Sequence, residues 1–310
     1  MVIDVHTRVW SSLEQFGQET ARHLDVRHAE RWVRLDASAP ALDRAMNCVD
    51  VALVHGCRSE RLGAHIPNEF VAEVVRSDPQ RRIGVGAVDP MGPEPEAQVD
   101  HAVELGLSAI SVSPVAQGFH PSHSLAMRVY ERCAERRLPL FVLSGSPLIP
   151  SSMLEFGRPT AWDEVARTFP SLPIVIGEFG FPWVDETMVL LSKHARVYAE
   201  VSGVVSRPWQ LFNALLAASS LGVMDRLLFG SGFPFEAPAK AIEQLYSVNT
   251  IAIGTQLPAV SRAAVRAIVE RDALRILGIE HEPVSESTAS LEDRFASGTR
   301  APRIGSQVGS

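Results

Sequence analysis

Read for polarity alone, the chain alternates short apolar, β-branched runs with longer stretches of helical period. The runs are Val2–Val5, Val49–Val54, Ile83–Val88, Ser108–Val112, Leu140–Leu143, Ile174–Ile176, Val197–Val201 and Arg226–Phe229. Each is almost continuously hydrophobic, as a strand covered on both faces should be. Between them, Ala39–Asn47, Asn68–Ser77, Glu94–Leu105, Ser124–Arg137, Trp162–Phe169, Val184–Ala195 and Pro208–Ala218 carry helical spacing; Ala237–Tyr246 and Ala259–Leu277 follow the last run. Eight strand-then-helix units predict an α/β fold of the closed (β/α)8 TIM-barrel type over residues 1–280. An open doubly wound sheet is the rival, but no Gly-x-Gly-x-x-Gly follows the first run.

Two regions break the rhythm. Residues 7–38 form an insertion after the first strand, which in a barrel lies on the C-terminal face where sites are built. Residues 281–310 are rich in Ser, Gly, Pro and charge without apolar periodicity, and are expected to be a disordered tail.

Composition narrows the function classes. The 310 residues are 46% hydrophobic and 21% charged, with a net charge of -7 and no basic stripe, so a nucleic-acid partner is not expected. No apolar run approaches the ~18 residues of a membrane span. Cys48, Cys57 and Cys133 are odd in number and form no Cys-x-x-Cys, which argues against a disulfide framework or a thiolate zinc site. With no signal-like N-terminus, the expected location is the cytoplasm.

Particular segments carry a resemblance. Asp4-Val-His6-Thr-Arg8 ends the first strand; Gly84–Pro90, Leu105–Pro114, Pro182–Glu186 and Arg226–Pro234 frame the third, fourth, sixth and eighth. Together they resemble the amidohydrolase superfamily, and most closely its amidohydrolase-related branch of aminocarboxymuconate-semialdehyde and resorcylate-type decarboxylases. The resemblance implies a barrel whose strand ends hold a divalent metal, with an eighth-strand aspartate as ligand and base. Catalytic zinc needs three or four N, O or S donors and an open position for water.

At those positions this chain departs from the pattern. His6 stands at the first motif histidine. Arg8 replaces the second, and a guanidinium cannot ligate a metal. Leu143 replaces the fifth-strand histidine, Glu178 the sixth-strand histidine, and Gly232 the aspartate. Only His6 and Glu178 could still ligate, which predicts a degenerate metal site and no cofactor. The expected function is therefore a metal-free pseudoenzyme, a binding or scaffold protein for a small molecule or an active paralogue. A homodimer is a base-rate expectation. The alternative is a hydrolase or decarboxylase of this branch with an unconventional site, which would call for zinc or another divalent metal. An Arg8–Glu178 ion pair could fill the vacated site.

Other candidates for the pocket are His55, His120, His123, Ser144 and Ser231, all close after strand ends. His120 and His123 could bind an anion or simply cap a helix; His6 could be a ligand or a hydrogen-bonded strand-end histidine. Neither serine belongs to a Gly-x-Ser-x-Gly elbow. Cys57 reads as a loop thiol rather than a nucleophile. Trp183 and Trp209 are expected to pack in the core, and His23, His101 and His194 to be solvated.

Overall fold

The computed structural model describes residues 1–29, 35–143 and 149–281. Its strands are β1 (Ile3–Arg8), β2 (Val51–His55), β3 (Cys57–Ser59), β4 (Ala64–Ile66), β5 (Arg82–Ala87), β6 (Ala109–Val112), β7 (Leu140–Val142), β8 (Ile174–Ile176), β9 (Val197–Glu200) and β10 (Leu227–Leu228). Eight of them form one parallel sheet in the order β1-β2-β5-β6-β7-β8-β9-β10. Backbone hydrogen bonds from Val5 to Phe229, Gly232 to His6 and Arg8 to Phe233, each 3.0 Å, join the last strand's end to β1. The result is the TIM barrel the apolar runs predict. The hairpin β3–β4, antiparallel, is an addition that the polarity pattern does not signal.

Two apolar layers hold the barrel. Alternate residues of the strands, among them Ile3, Val5, Leu53, Val85, Phe141 and Val175, fill the interior. The residues between them, such as Val54, Ile110 and Ile174, pack outward against the helices. Continuous hydrophobicity is therefore required of each strand. The helix expected over Ala259–Leu277 divides into Arg262–Glu270 and Ala273–Leu277. Arg271 is extended, and the Asp272 carboxylate accepts from Arg275 N, so a new N-cap starts the second helix.

β1 reaches Arg8, further than its apolar run, so the insertion begins after that residue. Its pairing with β2 slips between Asp4 and Thr7: Asp4 faces Ala52 and Thr7 faces Val54, one residue more on β1 than on its partner. This β-bulge changes the parity of the strand. Ile3 and Val5 belong to the barrel interior, while His6 and Arg8, two apart beyond the bulge, line the cavity above it.

Some packing expectations fail. Trp209 is 55% exposed at the start of the helix Pro208–Ser220, so it is no core residue. His194 is nearly covered and bonds Asp163 at 2.7 Å, and His23 Nε2 is buried; only His101 is open to solvent, paired with Glu69. Residues 282–310, where the tail was expected, lie outside the described residues.

Candidate active site

A cavity of about 750 Å³ opens at the C-terminal ends of the strands. His6, Arg8, Leu143, Glu178 and Gly232, from three strand ends and the loop after β10, all line it, as does Ser231. His55, His120 and His123 do not line it. His120 and His123 are exposed; His123 Nδ1 accepts from Leu125 N and caps the helix Ser124–Glu135. His55 is the last residue of β2 rather than a loop residue, and is wholly buried beneath the site. Ser144 lies outside the described residues.

The centre of the site is a pair that no motif marks. Glu200 ends β9, is 0% exposed, and its Oε1 lies 2.9 Å from His6 Nδ1. A carboxylate only accepts, so Nδ1 carries the hydrogen and donates it. Ser202 N donates to Glu200 Oε2 at 2.7 Å, Ser202 Oγ to Oε1 at 3.0 Å, and Glu178 N also to Oε1. Burial pushes the Glu200 pKa up, but the His6 charge and hydrogen bond, with the two backbone N–H groups, outweigh it and hold the carboxyl below its ordinary range. The one sequence signal for Glu200 is that it is a charge inside an apolar strand run, a feature that Asp4 and Asp50 share.

His55 supports this pair from below. Its ring packs against His6 at 5.3 Å and edge-on against Phe141 at 4.9 Å. Nε2 donates to the Val5 carbonyl at 2.8 Å, while Nδ1 has no partner. Burial, then the neighbouring His6 charge, drives its pKa well down, so the ring is neutral and Nδ1 is an acceptor. Asp4 is fully buried too: Oδ1 accepts from His6 N at 3.1 Å and Ser231 N at 3.0 Å, tying β1 to the loop after β10. Burial raises its pKa to about 6.

Backbone conformation aims Glu178 inward. Glu178, Phe179 and Gly180 follow β8 with φ of 55°, 55° and 65°. Two consecutive non-glycine residues in the left-handed region cost of order 1–3 kcal/mol each and persist only where neighbours enforce them. Here Glu200 takes the Glu178 N–H, and Gly203 lets that backbone approach: a Cβ at 203 would collide with the Glu178 carbonyl. Arg8 is 8% exposed and, among the described residues, enters no ion pair; the site's ion pair is His6–Glu200 rather than Arg8–Glu178. Cys57 lines the cavity with its thiol pKa raised by burial, the opposite of an activated nucleophile.

The sequence from residue 3 to 279 matches the family model described as Amidohydrolase. The chain belongs to the amidohydrolase family. Solved structures share its barrel fold. It is similar to an uncharacterized TIM-barrel protein from Bordetella bronchiseptica, 20% identical, with TM-score 0.69 over 90% of this chain and 98% of that one. A probable 2-pyrone-4,6-dicarboxylic acid hydrolase from Acinetobacter baumannii is 13% identical, with TM-score 0.63 over 89% and 99% of the two chains. A dihydroxybenzoic acid decarboxylase from Polaromonas sp., with bound manganese, is 16% identical, with TM-score 0.62 over 91% and 98%. No protein of curated function matches the sequence.

The donor set does not fit a metal such as the manganese of the Polaromonas relative. Of the five family positions, an arginine repels a cation and a leucine and a glycine have nothing to give, which leaves His6, through Nε2, and Glu178 where catalytic zinc takes three or four donors. Among the described residues no group of three or more His, Cys, Asp or Glu is placed to hold a metal ion, and no helix is long and apolar enough to cross a membrane.

Proposed function

We propose that this amidohydrolase barrel is a metal-free pseudoenzyme that binds a small organic carboxylate. The observation that carries the reading is the charge of the cavity. The chain is acidic overall, yet Arg8, Arg58, Arg207 and Lys240 line the cavity against two carboxylates, Glu178 and Glu236. Its walls are apolar, with Leu143, Phe181 and Phe233 among them, so the anion has a hydrophobic body. The test has two arms. Protein incubated with zinc or manganese and desalted should retain no stoichiometric metal, and a calorimetric screen should find carboxylates among its ligands. Retention of one equivalent of metal would sink the metal-free reading.

A second reading, an enzyme with an unconventional site, is favoured by one observation. His6 lines the cavity with Nδ1 fixed on Glu200, the arrangement that orients an imidazole for proton transfer through its other nitrogen. It predicts turnover of a dihydroxybenzoate or a pyrone dicarboxylate that is abolished by His6→Asn, with or without added manganese.

A further inference from the structure

A guanidinium stands where a metal-dependent barrel keeps a metal ligand, and part of its donor capacity is unspent. Arg8 is buried against the cavity, and its Nε has no hydrogen-bond partner among the described residues. Arginine is charged at any physiological pH, and a buried charged donor left unmade is costly.

The other three cavity cations differ. Arg58 is bonded to Glu60 through Nε at 3.2 Å and a terminal nitrogen at 2.9 Å. Lys240 reaches Glu236 at 3.2 Å and its side chain is 60% exposed. Arg207 donates to the Gly203 carbonyl at 2.8 Å and lies over the Phe181 ring at 4.4 Å. Two neighbours of Arg8, His55 and Cys57, do not offset its charge. It lies in register with His55, whose ring is neutral, and it acts electrostatically on Cys57, whose thiol burial keeps protonated. Glu200 is already enclosed by His6, Ser202 and Glu178 N.

We infer that Arg8 is the anchor for the carboxylate of the bound ligand, gripping it side-on through Nε and one terminal N–H. The inference rests on the carboxylate-binding reading above and names the residue that makes it selective. A guanidinium here supplies the fixed positive charge that a metal supplies in the manganese-bound relative, and its planar fork matches a carboxylate. His6, two residues back and on the same cavity, faces the same end of the ligand. Binding makes and breaks no covalent bond.

The experiment is isothermal titration of the full chain with benzoate and with its neutral isostere benzamide, in EDTA throughout. Wild type should bind benzoate at least about tenfold more tightly than benzamide. Arg8→Gln should weaken benzoate by about ten- to a hundredfold and leave benzamide unchanged. Arg8→Lys should lose several-fold, because an ammonium cannot reproduce the side-on pair. Equal benzoate affinity in wild type and folded Arg8→Gln overturns the anchor and leaves the carboxylate-binding reading standing. If Arg8→Gln does not fold, unchanged benzoate affinity in Arg8→Lys overturns it instead. Failure of both probes to bind wild type, or equal affinity for the two, overturns the carboxylate-binding reading and the anchor with it.

Discussion

His6 Nδ1 and Glu200 Oε1 stand 2.9 Å apart, joining the strand that opens the barrel to the seventh of its eight strands, with both side chains all but sealed from water. A buried pair of this kind is weak evidence of net stabilisation, but losing one partner leaves an uncompensated charge. Glu200→Ala should therefore cost about 3–5 kcal/mol in urea unfolding. Glu200→Ala with His6→Ala should cost less than the sum of the single changes. The Glu200 pKa is lowered on folding, so its contribution is intact above the ordinary value of 4.5 and is lost as pH falls through the lowered one. The gap between wild type and Glu200→Gln should accordingly shrink on acidification. Additive costs in the double mutant would show that the two groups are not coupled.

Gly203 matters for a different reason. Its missing Cβ leaves room for the carbonyl of Glu178, which belongs to a backbone held in the left-handed region. That obstacle is main chain and cannot rotate away. Gly203→Ala should lower stability by about 2 kcal/mol or more and displace Glu178 from the cavity. A melting temperature within a degree of wild type would show that the loop after β8 relaxes freely.

The barrel was legible because its strands must be apolar on both faces, and all eight runs became strands to within a few residues at each end. The departures from the family pattern at residues 8, 143, 178 and 232 were legible because each sits in a framed motif such as Gly230–Pro234. The pair at the centre was not. Glu200 lies in a run whose alternation says only that it is a strand, and its partner is 194 residues away. The β1 bulge was hidden as well: a two-residue period places Asp4, His6 and Arg8 together, whereas Asp4 is tied to Ser231 N beneath the cavity. Trp209 shows the limit of reading burial from residue type, since its helix turns that ring outward.

Gly232 bears on whether a metal site of the family type can be built here. It has φ of 75°, and a Cβ there would press on Ser202 Cβ at 3.1 Å. Aspartate tolerates the left-handed region better than most residues but still at a cost. Gly232→Asp alone should destabilise by about 1–2 kcal/mol. Combining it with Arg8→His, Leu143→His and Glu178→His should restore zinc retention, measured by elemental analysis after desalting, because the donor count then meets what the metal needs. Activity should lag behind binding, since restoring the ligands does not restore the neighbouring groups that orient them. A quadruple variant that folds and holds no zinc would mean that these positions no longer converge as the family motif requires.

Asp4 offers a test by pH alone. Its carboxyl is fully enclosed, Oδ1 accepts two backbone N–H bonds, and Oδ2 has no partner. Burial raises its pKa from 3.8 to about 6 in spite of those bonds. The unfolded chain therefore releases this proton first. Between the two values the folded state binds more protons, so stability falls as pH rises, and above the folded value the penalty is constant at roughly 3 kcal/mol. Asp4→Asn keeps an acceptor for His6 N and Ser231 N and cannot ionise. The stability of Asp4→Asn minus that of wild type should thus increase by roughly 2–3 kcal/mol between pH 4 and pH 7 in urea titrations. The direction is opposite to that of Glu200, whose ionised form the fold favours, so the two substitutions should bend the stability profile in opposite senses. Parallel profiles for wild type and Asp4→Asn across that range would mean that Asp4 ionises in the folded barrel as it does in water, and that its burial is relieved by groups other than His6 N and Ser231 N.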